Sequence, residues 1–205
     1  MNTKQRILDE ALTLFSEKGY ANVFVNDIAE KVGIKAPSLY KHYKNKQAIF
    51  DAIIDEMSSK FEQQAQALSI NGTDPAADAE VYRSMDEDHL IKLGNDLFTY
   101  FLHDNYTKRF RKMLTLEQFK DKDLAKVYSE QYVDKPLSYQ GMLLGLLVAQ
   151  GLLVTENVPI MTLHFYAPIY MLLTVCDREP DREPEALKLI EEHIRQFDKL
   201  YGRNF

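Results

Sequence analysis

The chain has 205 residues, 45% of them apolar, enough for one sizeable core or two modest ones. Its formal charge of −6 and pI of about 5.4 argue, taken alone, against a nucleic-acid binder, because phosphate contacts need lysine and arginine. A single cysteine, Cys176, excludes an internal disulfide.

The average charge conceals an asymmetry. The first fifty residues hold eight Lys and Arg against five Asp and Glu, a net +3, which leaves −9 on the rest. A basic head on an acidic body presents one face to DNA while the remainder is repelled. The start, polar from Asn2 to Gln5, shows no apolar signal region behind a basic stretch, so the expectation is a cytoplasmic protein. The longest apolar run, Gly141 to Val154, contains Gln150 and falls short of the roughly 20 residues that span a bilayer. It reads as a buried helix, with no membrane partner.

Helical periodicity runs through nearly the whole chain, and no stretch shows sustained alternation between hairpin turns, so the fold class is all-α. The first helix carries Ile7, Leu8, Ala11, Leu12 and Phe15 on one face and stops at Gly19, whose tolerance of positive φ suits a helix end. A short second helix covers about Asn26 to Val32 and breaks at Gly33. Pro37 starts a third at its first position, where a missing N–H costs nothing. Asn45 N-caps a long fourth helix through Ile49, Phe50, Ile53, Ile54, Met57 and Phe61.

Ser69 to Pro75 is the clearest loop, since Asn-Gly and Asp-Pro both favour turns. A helix through Leu90, Leu93, Leu97, Phe98 and Phe101 ends near Asp104 and Asn105, which cap the next around Phe110, Met113 and Leu114. Asp121 to Val154 holds one or two helices, with Pro136 marking a kink or a fresh start. Val158 and Pro159 lead into a helix from Ile160 to Cys176. The duplicated Asp-Arg-Glu-Pro at 177–184 reads as a charged connector. In the last helix Leu187, Ile190, Ile194, Phe197 and Tyr201 recur at spacings of 3 and 4, a narrow seam that packs helices side by side. This makes eight to ten helices, with a boundary inside the fourth.

The segment Val25 to Tyr40 has the parts of a helix-turn-helix in the right order. Ala29 is small where two helices cross, Gly33 permits the sharp turn, and Ile28, Val32, Ile34 and Leu39 face inward. With Leu39 in the core, Ser38, Tyr40, Lys41 and His42 lie on the other faces of the third helix, where base edges and phosphates are reached in a major groove. Lys46, one residue into the fourth helix, places its N–H and its ammonium toward a phosphate.

On these residues, above all Gly33-Ile-Lys-Ala-Pro-Ser-Leu-Tyr-Lys-His-Tyr-Lys-Asn-Lys-Gln-Ala48, the stretch from about Thr3 to Ile54 resembles the N-terminal domain of the tetracycline-repressor (TetR) family of bacterial regulators. The resemblance implies DNA contacts from Pro37, Ser38, Tyr40, His42 and Lys46, with Leu39 and Tyr43 structural, although His42 and Tyr43 can exchange these roles. Asn26 falls where the second helix meets the DNA backbone. Lys35 stands where relatives carry Ser or Thr, which removes a side-chain cap and offers a phosphate or base contact. Val25 stands where a hydroxyl residue is common. With Ala36 and Lys41, the candidate DNA-binding set is Asn26, Lys35, Ala36, Pro37, Ser38, Tyr40, Lys41, His42 and Lys46.

The resemblance further implies a head of residues 1–48, joined by a long helix to a helical effector-binding and dimerisation domain of 49–205. It implies three partners: a palindromic double-stranded operator, a small hydrophobic or aromatic effector, and a second copy of the chain. From the body's many large side chains, Phe61, Phe98, Phe101, Tyr128, Tyr132, Met142 and Tyr166 are the candidate ligand-binding set. Gln150 and His164 are polar groups inside apolar runs and either orient an effector or are hydrogen-bonded in place. Leu163, Ala167, Tyr170, Ile190, Ile194 and Phe197 are the candidate dimer interface, the alternative being an intramolecular hairpin of the last two helices.

No nucleophile, base or metal constellation is present, so no catalytic residue and no cofactor is assigned. His89 beside Asp86, Glu87 and Asp88 is the nearest to a metal cluster, but successive residues on a helix start point around the axis instead of converging. The competing reading is a helical ligand-binding protein without sequence-specific DNA binding.

Overall fold

A computed structural model describes residues 2–202. Among them are eleven α-helices, one π-helical turn, one 3₁₀ turn and no strand, an isolated bridge between Leu153 and Gly202 aside. The extra helices over the eight to ten expected come from short pieces flanking loops. The chain divides into two compact units, residues 1–61 with 104–129, and 62–103 with 130–205. The first closes inside the fourth helix at Phe61, so packing cuts the chain elsewhere than the expected functional division at residue 48.

The first unit contains α1 (Thr3–Lys18), α2 (Val25–Val32), α3 (Ala36–Tyr40), most of α4 (Lys46–Ala67), α7 (Asn105–Glu117) and α8 (Lys122–Ser129). Asn2 caps α1 with a reciprocal box, its Oδ1 accepting from the Gln5 N–H at 2.9 Å while its own N–H donates to Gln5 Oε1. Ile7, Leu12, Phe15, Ile28, Leu39, Ile49, Phe50 and Ile53 are fully buried, and Phe110, Met113 and Leu114 of α7 join them. Phe15, Tyr20, Phe50 and Phe110 form a chain of rings with centroids 5.0, 5.2 and 6.1 Å apart. Arg109 fixes α7 along α1, donating to the Asp9 carbonyl at 3.1 Å, to Asp9 Oδ1 at 2.5 Å and to the Thr13 hydroxyl. Gly19 ends α1 at φ 83°, a conformation that favours glycine, and a Cβ there would make Glu117 Oε1, 2.5 Å away, give way.

The second unit contains α5 (Pro75–Arg83), α6 (Glu87–His103), the π turn Glu130–Asp134, α9 (Lys135–Ala149), α10 (Val158–Arg178) and α11 (Glu183–Tyr201). One core joins α6, α10 and α11 through Ile91, Phe98, Leu102, Leu172, Leu173, Cys176, Ile190 and Ile194. A second joins α5, α9 and the other ends of α10 and α11 through Ala79, Leu143, Leu144, Leu147, Met161 and Phe197. Pro136 begins α9 at its second position instead of breaking the chain. It has no N–H for the Tyr132 carbonyl four residues before it, and the Tyr166 hydroxyl donates to that carbonyl at 2.7 Å. Pro168 sits inside α10, and one residue from the carbonyl it leaves unserved, His193 Nε2 donates to the Phe165 carbonyl at 2.9 Å. α10 is also long and apolar enough to cross a membrane by length and composition, which a count of uninterrupted apolar residues had not shown, because Thr162 and His164 interrupt it.

Asp78 is the one fully buried carboxylate in the core of the second unit. It accepts from the N–H groups of Asn71 and Gly72 at 2.6 and 2.8 Å and from the Tyr139 hydroxyl, tying the 69–74 loop and α9 to α5. Burial, then the hydrogen bond to Asp78, pushes the Tyr139 hydroxyl's pKa up. Replacing Asp78 by Ala leaves three part-buried donors without their acceptor, and Asp78→Ala is expected to lower unfolding stability by about 3 kcal/mol and Tyr139→Phe by about 1 kcal/mol in urea titrations.

Candidate nucleic-acid interface

The helix-turn-helix is built from α2, the turn at Gly33 and α3. Gly33 adopts φ 77°, ψ 32°, and the end of α2 closes with paired bonds, Gly33 N–H to the Glu30 carbonyl and Ile34 N–H to the Ala29 carbonyl, each at 2.9 Å. Arg6 of α1 donates to the Val32 carbonyl at 2.6 Å, which fixes the same end from behind. α3 has only five residues. Pro37 occupies its second position, one later than expected, and Lys35 at the N-cap makes no side-chain cap, as the loss of a hydroxyl there requires.

Leu39 is fully buried and Tyr43 is 6% exposed, whereas Tyr40 is 52% exposed and Lys41 and His42 are open to solvent. The alternative left between His42 and Tyr43 is therefore resolved, with Tyr43 inside. Burial, then the nearby Glu56, pushes the Tyr43 hydroxyl up to about 12. Asn26, Lys35 and Pro37 are exposed, and Ala36 and Ser38 half-buried on the same short helix or the start of α2. Asn45 caps α4, its Oδ1 accepting from the Ala48 N–H at 2.8 Å.

Lys46 departs from expectation. Its ammonium folds back to donate to the carbonyls of Tyr20 at 2.7 Å and Val23 at 2.9 Å, and lies 4.2 Å from the centroid of the Tyr20 ring. Phe24 is a residue the sequence reading missed. It is the N-cap of α2, lacks a capping side chain, and exposes 67% of its surface at the helix start, while Asp27 accepts from its N–H at 2.7 Å.

Of the candidate ligand-binding residues, the structure brings together Tyr132 and Tyr166, which with Tyr170 form a near-parallel stack with centroids 6.1 and 5.9 Å apart. Phe98 belongs instead to the α6–α10–α11 core, with Phe101 packed against that core's edge. Met142 is 53% exposed beside a shallow hollow of about 400 Å³ with Pro75 and Gly145, so it faces outward. Phe61 and Tyr128 lie in the first unit. Gln150 donates to Glu80 Oε1 at 2.8 Å, and His164 Nδ1 lies 2.5 Å from the Tyr201 hydroxyl, both as exposed pairs. His89 caps nothing metallic: its ring and N–H both engage Asp86 Oδ1.

The candidate dimer set also divides. Leu163 and Ala167 are exposed on α10, but Ile190, Ile194 and Phe197 are buried in the unit's own cores and Tyr170 is turned to the tyrosine stack. The seam of α11 thus faces its own chain, as the hairpin alternative holds. The exposed apolar residues on these helices are Ile160, Leu163 and Met171 of α10 and Leu189 and Leu200 of α11. They follow one another at spacings of 3, 8 and 11, which a search for the most apolar stripe passes over because His164, His193 and Gln196 interrupt it.

A three-helix basic head with a Gly-turned helix-turn-helix, in a chain helical throughout its described residues, defines a helix-turn-helix fold. Residues 7–53 match the family described as "Bacterial regulatory proteins, tetR family". The match covers the head of the chain. The chain is 45% identical over 58 residues to the biofilm operon icaADBC HTH-type negative transcriptional regulator IcaR of Staphylococcus epidermidis, a match covering 28% of this chain and 31% of that protein. The chain thus spans under a third of the length of that relative. Along its whole length the fold resembles SmeT, the repressor of the Stenotrophomonas maltophilia multidrug efflux pump SmeDEF, at 19% identity and a TM-score of 0.66 over 100% of this chain and 92% of that one. It also resembles the fatty acid degradation regulator FadR from Bacillus halodurans, at 15% identity and a TM-score of 0.65 over 95% of each. These distant likenesses concern the fold.

The division between core and surface in α3 is checked by stability. Tyr43→Ala removes a buried ring and is expected to cost about 3 kcal/mol, whereas His42→Ala is expected to stay within about 0.5 kcal/mol of the parent in thermal and urea unfolding.

Proposed function

We propose that this chain is a cytoplasmic, ligand-responsive transcriptional repressor that binds a palindromic operator as a homodimer. The observation that carries the reading is the sorting of α3, with Leu39 and Tyr43 inside and Pro37, Tyr40, Lys41 and His42 outside, within the segment that matches the family. An exposed tyrosine ring beside lysine and histidine suits a groove: Tyr40 reads a base edge or a thymine methyl, and Lys41 holds a phosphate. The charge partition supports it, since the first packing unit carries a net +4 and the second −10. Repression as the direction of control follows the similar IcaR head, described as a negative regulator.

The second copy docks on the exposed face of α10 and α11, where Leu163, Met171, Leu189 and Leu200 have no cover, and two such helix pairs make a four-helix bundle. Two-fold symmetry then sets the recognition helices about 34–36 Å apart. For the effector, SmeT has been solved in complex with triclosan, and the Tyr132–Tyr166–Tyr170 stack gives this body an aromatic surface of matching chemistry. An effector that favours the conformer unable to seat both heads lowers DNA affinity by its differential binding, typically about 1–3 kcal/mol.

Selection from a random duplex pool, followed by fluorescence anisotropy, is expected to return a two-fold symmetric site, with Tyr40→Ala reducing the preference for that site over random DNA by about ten-fold. Failure to enrich any sequence would establish the ligand-binding protein without DNA specificity in its place. In sedimentation, the doubly substituted Leu163→Glu, Leu200→Glu protein is expected to run as a folded monomer with DNA affinity reduced at least about a hundred-fold. A dimer unchanged by both charges would remove the α10–α11 face from the reading.

A further inference from the structure

Resting on the homodimer reading above, we infer that the α10–α11 face is a pH-sensitive contact. His164 and His193 let two copies pair while their rings are neutral, and oppose pairing once protonated. The face consists of two outward stripes. On α10, Ile160, Leu163, Ala167 and Met171 recur at spacings of 3, 4 and 4, and on α11, Leu189, His193, Gln196 and Leu200 recur at 4, 3 and 4, so each set shares one side of its helix. All but the half-buried His193 are exposed. Between the stripes lies a hollow of about 330 Å³, which His164, Pro168, Phe197 and Tyr201 line together with residues of both.

Among the lining residues the titratable ones are His164, His193 and Tyr201, and none is a carboxylate. His164 Nδ1 lies 2.5 Å from the Tyr201 hydroxyl, which can donate to it while the ring is neutral. A protonated ring donates at Nδ1 instead and needs a second acceptor at Nε2. His193 Nε2 donates to the Phe165 carbonyl at 2.9 Å, so an added proton sits on its Nδ1.

The elements packed around the two rings bring no carboxylate to them among the described residues. α10 has no Asp, Glu, Lys or Arg from Val158 to Cys176. At the outer edge of the α11 stripe, Glu185 and Glu192 are taken by Arg182 at 2.9 Å and Lys188 at 3.8 Å, and Lys199 beside them adds a positive charge. Asp198 lies against Gly202. α9 meets this part of α10 through Leu143, Leu144 and Leu147; its titratable groups are Lys135 and Tyr139, and Tyr139 is bonded to Asp78. The Val154 N–H holds the 151–157 segment to the Tyr201 carbonyl, and the exposed Glu156 of that segment bonds to neither histidine. α6 packs on the other half of α10, at Leu172, Leu173 and Cys176. A second copy laid on this face therefore strips water from two rings whose charged forms have no partner to replace it.

A ring desolvated in the dimer holds its proton less tightly there than in the monomer. Pairing is therefore strongest above the ordinary histidine value of about 6.5 and weakens as pH falls through it. Two copies of net charge −6 repel less as their carboxylates protonate, which acts in the opposite direction.

Sedimentation equilibrium on the full-length protein compares about pH 8 with about pH 5.5, either side of the histidine range. The dissociation constant of the parent dimer is expected to rise at least about ten-fold at the lower pH, the factor that one pK unit represents. The doubly substituted His164→Gln, His193→Gln protein is expected to change by less than about three-fold. A parent constant equal at both values overturns the switch, and so does a rise that the double variant retains. Should that variant fail to fold, dilution calorimetry of the parent near about pH 6.5, in two buffers of different ionisation enthalpy, counts protons directly. Uptake on dissociation is expected, and none overturns the proposal. A parent that is monomeric at about pH 8 removes the homodimer reading and the switch with it, whereas a dimer indifferent to pH removes the switch alone.

Discussion

A helix of five residues cannot sustain itself in water, because the first hydrogen-bonded turn costs more conformational entropy than it returns. α3 therefore exists only as long as something else holds it, and that something is the burial of Leu39, with Tyr43 directly beyond its end. The paired bonds at Gly33 set where α3 begins, and the N–H groups of His42 and Tyr43 turn back to the Leu39 carbonyl to set where it stops. Everything proposed for the DNA face is a consequence. Once Leu39 points inward, the 100° step of a helix leaves Tyr40, Lys41 and Ser38 no choice but to point elsewhere.

The same dependence extends to α4 and α7. Ile49, Phe50 and Ile53 of α4 are buried in the same unit as Leu39 and Tyr43, and the Phe110 ring of α7 lies 6.1 Å from that of Phe50. Arg109 then holds α7 to α1 through three polar contacts at the Asp9–Thr13 level. A guanidinium engaged by a carboxylate, a carbonyl and a hydroxyl is oriented far more tightly than a surface pair would be. A segment more than fifty residues downstream of the helix-turn-helix is in this way part of the body that carries it. The chain passes between its two packing units at residues 61, 103 and 129, so the head is not a bead on a single string.

What the sequence disclosed follows from how far apart the interacting residues lie. The helix-turn-helix was legible because each signal is local: Gly33 beside Val32, Leu39 four residues before Tyr43, Asn45 three before Ala48. The caps at Asp104 and Asn45 were legible for the same reason. The association of α7 with α1 was not, because nothing near Arg109 names Asp9 as its partner. The seam of α11 was seen correctly as a packing stripe, yet its spacing could not say whether the partner is the same chain or another, and Ile190 and Ile194 proved to be internal. The π turn was hidden for a subtler reason. Pro136 announces a missing donor, but only the fold brings the Tyr166 hydroxyl to the Tyr132 carbonyl. The fold-back of the Lys46 side chain was not legible, because a lysine at a helix start looks the same whether its stem runs outward to solvent or back along the turn.

The charge distribution gains meaning once the units are known. Counted by the first fifty residues, the contrast is +3 against −9; counted by packing unit, it is +4 against −10, because residues 51–61 bring a net −2 and residues 104–129 bring seven Lys and Arg against four Asp and Glu into the first unit. Of these seven, Arg109 and Arg111 are spent inside the fold, Arg111 being 1% exposed. What reaches solvent there stays positive, with Lys112, Lys120, Lys122 and Lys126 exposed against Asp123, and on the helix-turn-helix Lys31, Lys35, Lys41 and Lys44 stand exposed as well. At physiological ionic strength charges beyond about 8 Å are largely screened. On the proposed reading, the acidic second unit therefore biases an encounter with phosphate only weakly, and the exposed lysines nearest the recognition helix matter most.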